Sequence, residues 1–136
     1  MSKKVLKLFS NRDNQEELLL DKNGVIGDKY YAKDIDRSIL LSSKNSYYMA
    51  RDINIDIEYG ELGENLIVNF NPYDLEIGSK IKIENVILEI TQHCTLCKSL
   101  TKIDNKLPKL LKSDRGVFAK VIDIGRIYNN SNITIL

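Results

Sequence analysis

Lys80-Ile81-Lys82-Ile83, Glu84-Asn85, Val86-Ile87-Leu88-Glu89-Ile90-Thr91 is the stretch whose reading decides the architecture. On either side of Glu84-Asn85, apolar residues recur at every second position. Extended chain points successive side chains to opposite faces, so this period gives each run one apolar face. Two such runs joined by two residues predict an antiparallel hairpin.

Outward from the hairpin the same signals recur. Upstream, Asn65 to Phe70 reads as a strand ended by Asn71-Pro72, and Ile39-Leu40-Leu41 as a short buried strand. Ser42 or Ser43 is placed to cap a helix running through Tyr47, Tyr48, Met49 and Ala50. Leu18 to Leu20 ends at the turn signal Asp21-Lys22-Asn23-Gly24, and Val5 to Phe9 opens as a strand. Downstream, Lys98 to Ile103 and Leu107 to Leu111 read as short helices, with Pro108 tolerated in a first turn. Val117 to Ile122 and Ile133 to Leu136 return to strand. Many short strands, few helices and no βαβ rhythm favour a β-barrel or sandwich. There is no internal repeat and no Pro/Gly/Ser linker, so residues 1–136 read as one domain.

A chain of 136 residues buries roughly 65–70% of the surface it exposes when unfolded, enough to fold without disulfides or a structural metal. Lys and Arg number 20 against 19 Asp and Glu, a net charge of +1 that gives no electrostatic reason to expect nucleic acid. No run approaches the ~18–20 apolar residues that span a bilayer, so no membrane is expected. The first residues, Met-Ser-Lys-Lys-Val-Leu-Lys-Leu-Phe, lack the apolar run of a signal peptide. A cytoplasmic location is expected, where thiols are kept reduced.

That matters for Thr91-Gln92-His93-Cys94-Thr95-Leu96-Cys97-Lys98, which carries both cysteines and the one histidine. A helix starting near Thr95 puts Cys97 in its first turn, where the dipole and free N–H groups stabilise a thiolate. Lys98 and His93 add positive charge. An unperturbed thiol of pKa about 8.5 is only roughly 3% thiolate at pH 7, so such help matters. Three readings compete. Both thiols can be small apolar side chains packing a strand-to-helix corner. His-Cys-x-x-Cys can supply three soft zinc ligands, although a closed site needs a fourth from a carboxylate or a second chain. Or one thiol is reactive, alone or as a Cys-x-x-Cys pair. The zinc deaminase signature is excluded, because no His-x-Glu precedes the Cys-x-x-Cys.

Gly24-Val25-Ile26-Gly27-Asp28 and Gly60-Glu61-Leu62-Gly63-Glu64-Asn65-Leu66 each place two glycines three apart, which permits left-handed backbone and close approach by a ligand. Neither is a phosphate-binding loop of known pattern. Read alone they are two tight turns, with Asp28, Glu61 and Glu64 as solvated turn residues. Arg115-Gly116, before the apolar run Val117 to Val121, can reach a phosphate or carboxylate bidentately or lie on the surface. Tyr30, Tyr31, Tyr47 and Tyr48 can stack on a ligand, with half-buried packing as the default.

Together these pieces resemble the MOSC family, the domain found at the C-terminus of molybdenum cofactor sulfurases and as stand-alone bacterial proteins. Gly24-Val25-Ile26-Gly27-Asp28-Lys29-Tyr30 resembles its early Gly-x-x-Gly-Asp-Arg/Lys-His segment, and Asp36-Arg37-Ser38-Ile39-Leu40-Leu41-Ser42 its Arg-x-Val-x-Leu strand. Gly60 to Leu66 is the most specific match. Leu75-Glu76-Ile77-Gly78 and Leu88 to Gln92 follow in order. Cys94-Thr95-Leu96-Cys97-Lys98-Ser99-Leu100 resembles a Cys-x-Pro-Cys-x-x-Leu form of the reactive-cysteine motif, and Arg115 to Val121 with Gly125 the closing strands. The resemblance spans about residues 18–136. The chain departs from it at Tyr30, where histidine is common, at Leu96 in place of proline, and at Asn130-Ser131 in place of a Gly-Asp pair.

The resemblance implies a mainly β domain, a β-barrel of the pyruvate-kinase barrel type with a few short helices. It implies that Cys97 ligates molybdenum or carries sulfur, with Cys94 where some members have a second cysteine. It implies molybdenum cofactor (molybdopterin) binding, with Arg37, Asn65 and Arg115 lining the mouth and Asp28 and Glu64 ordering the glycine turns or accepting a hydrogen bond from the pterin. Reduction of N-hydroxylated substrates is the implied activity. The alternative is a non-catalytic persulfide carrier or adaptor in cofactor assembly. Partners would be a cysteine desulfurase or molybdenum cofactor biosynthesis proteins. Pyridoxal phosphate is not expected in this chain, which has neither the length of the fused desulfurase domain nor a Schiff-base lysine context.

Overall fold

The computed structural model of the chain describes residues 2–95, 98–112 and 114–136, with the backbone alone of Lys98 and Ser99. The strands in chain order are β1 (Val5–Ser10), β2 (Asp13–Gln15), β3 (Glu17–Asp21), β4 (Gly24–Val25), β5 (Ile39–Ser43), β6 (Leu66–Val68), β7 (Lys80–Ile83), β8 (Val86–His93), β9 (Val117–Asp123), β10 (Gly125–Tyr128) and β11 (Ile133–Ile135). The α-helices are α1 (Lys44–Asp52), α2 (Lys98–Ile103) and α3 (Leu107–Leu110). Single 3-10 turns lie at Ile35–Arg37 and Pro72–Asp74.

The hairpin forms as its period requires. Ile83 faces Val86 across the two-residue link, and Glu84 takes a positive φ of 55° there. Ile81, Ile83, Val86, Leu88 and Ile90 all turn inward and are fully buried. Each such side chain contributes roughly 1.5–3 kcal/mol by leaving water. Together with Leu8, Ile39, Leu41, Leu66, Val117 and Ala119 they form the main core.

Eight strands join in the order β11-β7-β8-β9-β5-β6-β1-β2, and β10-β3-β4 form a second sheet. The β8–β9 pairing shifts register twice, between Ile87 and Leu88 and between Ile90 and Gln92. Such bulges bend the strands and curl the sheet. The end strand β11 comes up to the start of β1, next to the other end strand β2, at an isolated bridge, Lys4 to Asn132, flanked by main-chain bonds from Val5 to Ser131 and from Ile133 to Lys3. No continuous ladder joins those ends among the described residues. The fold is therefore mainly β with a mixed, curled sheet, and the closed barrel that the resemblance implies is not found as a complete ring of paired strands.

One βαβ unit escapes the sequence pattern. β5 and β6 pair parallel, joined through α1. Ser43 caps α1, its hydroxyl accepting from the N–H of Asn45 at 3.0 Å. The buried face of α1, Tyr47 and Ala50, packs with Leu100, Leu107 and Leu111 into a second core outside the sheet, against Phe9 and Ile67. α2 is described over Lys98–Ile103, the range the sequence predicts, and residues 96–97 just before it lie outside the described residues. No helix among the described residues is long and apolar enough to cross a membrane.

Candidate functional site

One cleft of about 280 Å³ opens between the β1–β2 turn, the loop after β4, the loop before β6 and the start of β9. Asp28, Arg37, Glu64, Asn65 and Arg115, singled out separately in the sequence, all line it. The floor also has Leu40, Leu62 and Phe118, and the rim has Asn11, Arg12, Lys29, Tyr30, Lys33 and Asp34.

The rim is built on two tight turns that brace each other. Asn11 and Arg12 connect β1 to β2, both at positive φ (53° and 67°), the conformation that a two-residue hairpin favours and that arginine rarely takes. Gly27, at φ 91°, turns the facing loop. Asp28 joins the two. Its Oδ1 accepts from Oγ of Ser10 (2.9 Å) and from the N–H of Asn11 (3.1 Å), and its Oδ2 from the N–H of Tyr30 (3.0 Å). Asn11 returns two bonds, accepting from the N–H of Lys29 and donating to the carbonyl of Gly27. Asp28 is thus buried and fully engaged in ordering the loop, not a solvated turn residue.

Asn65 does comparable work on the floor. Its Oδ1 accepts from the N–H of Leu40 (3.0 Å) and its Nδ2 donates to the carbonyl of Phe9 (3.2 Å). Its own backbone bonds the same two residues, the carbonyl accepting from Phe9 and the N–H donating to Leu40. It therefore spans the gap between β1 and β5 just where β6 begins.

Glu64 is buried at the end of the Gly60–Gly63 turn, 1% exposed. Its Oε1 accepts from the hydroxyl of Tyr47 (2.5 Å) and the N–H of Gly60 (2.9 Å). The Tyr47 oxygen accepts in turn from the N–H groups of Gly60 and Leu62. Burial pushes the Glu64 carboxyl above the usual carboxylate range, opposed by these bonds and by the positive Arg115. Burial, then the adjacent Glu64, push the Tyr47 phenol far up, so it stays protonated and donates. Tyr47, read as a half-buried packing residue, is the fully buried post that holds the turn.

Arg115 is 5% exposed, not on the surface. Its Nη2 donates to the carbonyl of Leu62 at 2.9 Å, while among the described residues Nε and Nη1 are buried without a hydrogen-bond partner, as is Oε2 of Glu64. Next to it Gly116 must be glycine. At φ 124° an added Cβ would stand 2.4 Å from the carbonyl oxygen of Leu41. At the rim the Arg37 guanidinium lies 5.8 Å above the Phe118 ring and 3.9 Å from Asp34. The cleft collects five cationic side chains (Arg12, Lys29, Lys33, Arg37, Arg115) against three acidic ones (Asp28, Asp34, Glu64), a local positive excess on a nearly neutral chain.

Cys94 is buried, 1% exposed, against Leu40 and Phe118, the same side chains that face the cleft. Its N–H donates to the carbonyl of Gly116, and its carbonyl accepts from the hydroxyl of Tyr73 at 3.1 Å. The Tyr73 ring stacks on His93, centroids 4.2 Å apart. Cys97 lies outside the described residues, and so does its expected place in the first turn of α2. Among the described residues no three His, Cys, Asp or Glu side chains converge as metal ligands.

Arg12, Lys29 and Lys33 were not singled out from the sequence, and neither were Leu40, Leu62 and Phe118 as a floor. Lys29 stands inside the Gly-Asp-Lys-Tyr segment and could have been noticed there. Arg12 carries no pattern, because its position depends on an Asn-Arg turn that reads as ordinary polar loop.

The chain matches solved structures throughout its length. The YUAD protein from Bacillus subtilis is 17% identical with a TM-score of 0.85, over 98% of this chain and 94% of that one. YiiM from Escherichia coli is 18% identical with a TM-score of 0.77, over 100% of this chain and 70% of that one. YiiM from Geobacillus stearothermophilus is 16% identical with a TM-score of 0.72, over 99% and 73%. At such identities the likeness is one of fold. No curated protein sequence matches the chain. The model of the MOSC domain matches residues 22–134, nearly the whole length and every element of the cleft beyond the β1–β2 turn, and the chain therefore belongs to the MOSC domain family.

Proposed function

We propose that the cleft binds the molybdenum cofactor through its pterin phosphate, and that the thiol of Cys97 is the metal's protein ligand or the acceptor of sulfur. The residues present suit that group. A phosphate wants convergent N–H donors and positive charge, and a fused ring wants an apolar floor. Arg115 offers two buried N–H groups without partners among the described residues, Arg12, Lys29, Lys33 and Arg37 surround the mouth, and Leu40, Leu62 and Phe118 provide the floor. The observation that carries the reading is Arg115. Each unsatisfied buried donor costs roughly 1–3 kcal/mol, a cost an anionic ligand removes.

The bound cofactor would supply two-electron oxygen-atom chemistry, with N-hydroxylated compounds as the substrate class. This chain's part is to hold and orient. Arg115 binds the phosphate and Arg37 closes over it from the Phe118 side. Asp28 and Asn65 act through the frame, one fixing the rim and the other fixing β1 to β5. Cys94 packs the floor from behind. The Lys4–Asn132 bridge supports reading the curled sheet as a pyruvate-kinase-type barrel. A cytoplasmic setting, with a desulfurase or a cofactor biosynthesis protein as donor, fits this reading.

The test is cofactor retention. The chain is purified from cells that make the cofactor, and the pterin released on denaturation is quantified by fluorescence. Arg115→Ala is expected to lower retention at least tenfold, the loss of one charge-assisted contact. Undiminished pterin in a folded Arg115→Ala protein removes Arg115 from the site. Absence of pterin from the wild type, with a mass gain of one sulfur after incubation with a desulfurase, turns the assignment to a persulfide carrier.

A further inference from the structure

Four buried side-chain atoms lack hydrogen-bond partners among the described residues, and three of them belong to Glu64 and Arg115 on the cleft floor. The bonding around Glu64 fixes where a proton on its carboxyl must sit. Tyr47 accepts from two main-chain N–H groups, so its own hydrogen goes to Oε1 of Glu64. Oε1 also accepts from Gly60. With two donors directed at it, Oε1 is an acceptor, and the hydrogen of a neutral carboxyl belongs to Oε2, the atom without a partner.

We propose that the cleft floor is an oxyanion site with a titratable donor, where neutral Glu64 donates from Oε2 and Arg115 from Nε and Nη1, so that binding an oxyanion takes up one proton. This rests on reading the cleft as an anion site, not on molybdenum. The resemblance implies that Glu64 orders its glycine turn or accepts a hydrogen bond from the pterin; here it keeps the first role through Gly60 and donates in place of the second. Ionised, Glu64 sets a negative charge in the site and offsets Arg115. Neutral, it leaves Arg115 uncompensated and adds a third donor. Burial already favours the neutral form, and a bound anion favours it further. The groups facing Glu64 are Tyr47 from α1, the Gly60 N–H and Arg115 before β9. Across the mouth stand Asp28, Asp34, Arg12, Lys29, Lys33 and Arg37. The proton comes from solvent, and no other reactant is required.

Sulfate is the probe, because its charge is fixed between about pH 5 and pH 9, the span in which buried glutamates titrate. Sulfate is titrated calorimetrically into the full-length chain across that range, in pairs of buffers differing in ionisation heat. In the wild type, affinity falls with rising pH by up to about tenfold per unit as Glu64 ionises, and proton uptake rises towards one per sulfate. Glu64→Gln keeps an acceptor at Oε1 and places an amide N–H donor at the Oε2 position. It binds sulfate with no such slope and no uptake. A flat wild-type profile, an equal slope in Glu64→Gln, or no saturable sulfate binding by either protein overturns the proposal. A failure of the molybdenum reading appears elsewhere, as missing pterin or metal with the sulfate linkage intact.

Discussion

Asn65→Ala tests whether the floor is held by the bonds described. The substitution leaves the N–H of Leu40 buried without its acceptor and takes from the carbonyl of Phe9 the amide donor of Asn65. A buried N–H left unsatisfied costs about 1–3 kcal/mol, and loss of a hydrogen bond at the carbonyl about 1 kcal/mol. The sum, about 2–4 kcal/mol, is a large share of the roughly 5–15 kcal/mol by which a domain is stable. Urea unfolding followed by circular dichroism measures it. With an m-value of about 1.5 kcal/mol per molar, the midpoint should fall by roughly 1–3 M at unchanged slope. Asn65→Asp should also destabilise, because its carboxylate still accepts from Leu40 but meets the Phe9 carbonyl without a donor. A midpoint within about 0.3 M of wild type for Asn65→Ala refutes the bridging role, since the loss would then be well under 1 kcal/mol. Asn65 would then count only as a possible ligand contact.

Gly116→Ala should destabilise by at least about 3 kcal/mol or give insoluble protein, because the backbone oxygen of Leu41 cannot yield to a Cβ at 2.4 Å in a φ of 124°. A soluble variant with wild-type melting temperature contradicts the geometry there. Glu64 gives a signed pH effect. Its carboxyl is raised in the fold, so its favourable contribution is complete below the unfolded-state value and is lost as pH rises through the folded-state value. The melting temperature of Glu64→Gln should therefore gain on that of wild type as pH rises from acid to alkaline, and a pH-independent difference denies it. The thiol of Cys94, 1% exposed behind Leu40 and Phe118, should resist alkylation in the native protein and react on addition of denaturant. Peptide mass spectrometry that finds Cys94 labelled as fast in the native state as in the unfolded one would place it at the surface.

The hairpin was legible because its alternation answers one buried face, and β7 and β8 form at the residues expected. β1, β5, β6, β9 and β11 followed from the same local rules, as did a serine cap at Ser42 or Ser43, while Leu18 to Leu20 of β3 showed only as a short apolar run before a turn. β2 was not legible. Asp13-Asn14-Gln15 is short, polar and largely exposed, so its pairing leaves no apolar period. β10 buries only Ile127 of its four residues. The parallel β5–β6 pair was hidden by residues 53–65, which run between α1 and β6 without a repeating pattern. At the site, motif order brought out Asp28, Arg37, Glu64, Asn65 and Arg115, but not what each does. That Asp28 and Asn65 bond main chain, that Tyr47 holds Glu64, and that Arg115 is buried are consequences of tertiary contact between segments up to 56 residues apart. Hydropathy reads charged groups at such positions as solvated.

We propose that the cleft and Cys97 together hold molybdenum. The most direct test is the metal content of the freshly purified chain and of Cys97→Ser, both from cells that make the cofactor. About one molybdenum per wild-type chain is expected, the single-site stoichiometry of one thiolate ligand, with its loss in the serine variant. Wild-type protein without molybdenum, or a serine variant that keeps it in full, would contradict a molybdenum site at Cys97.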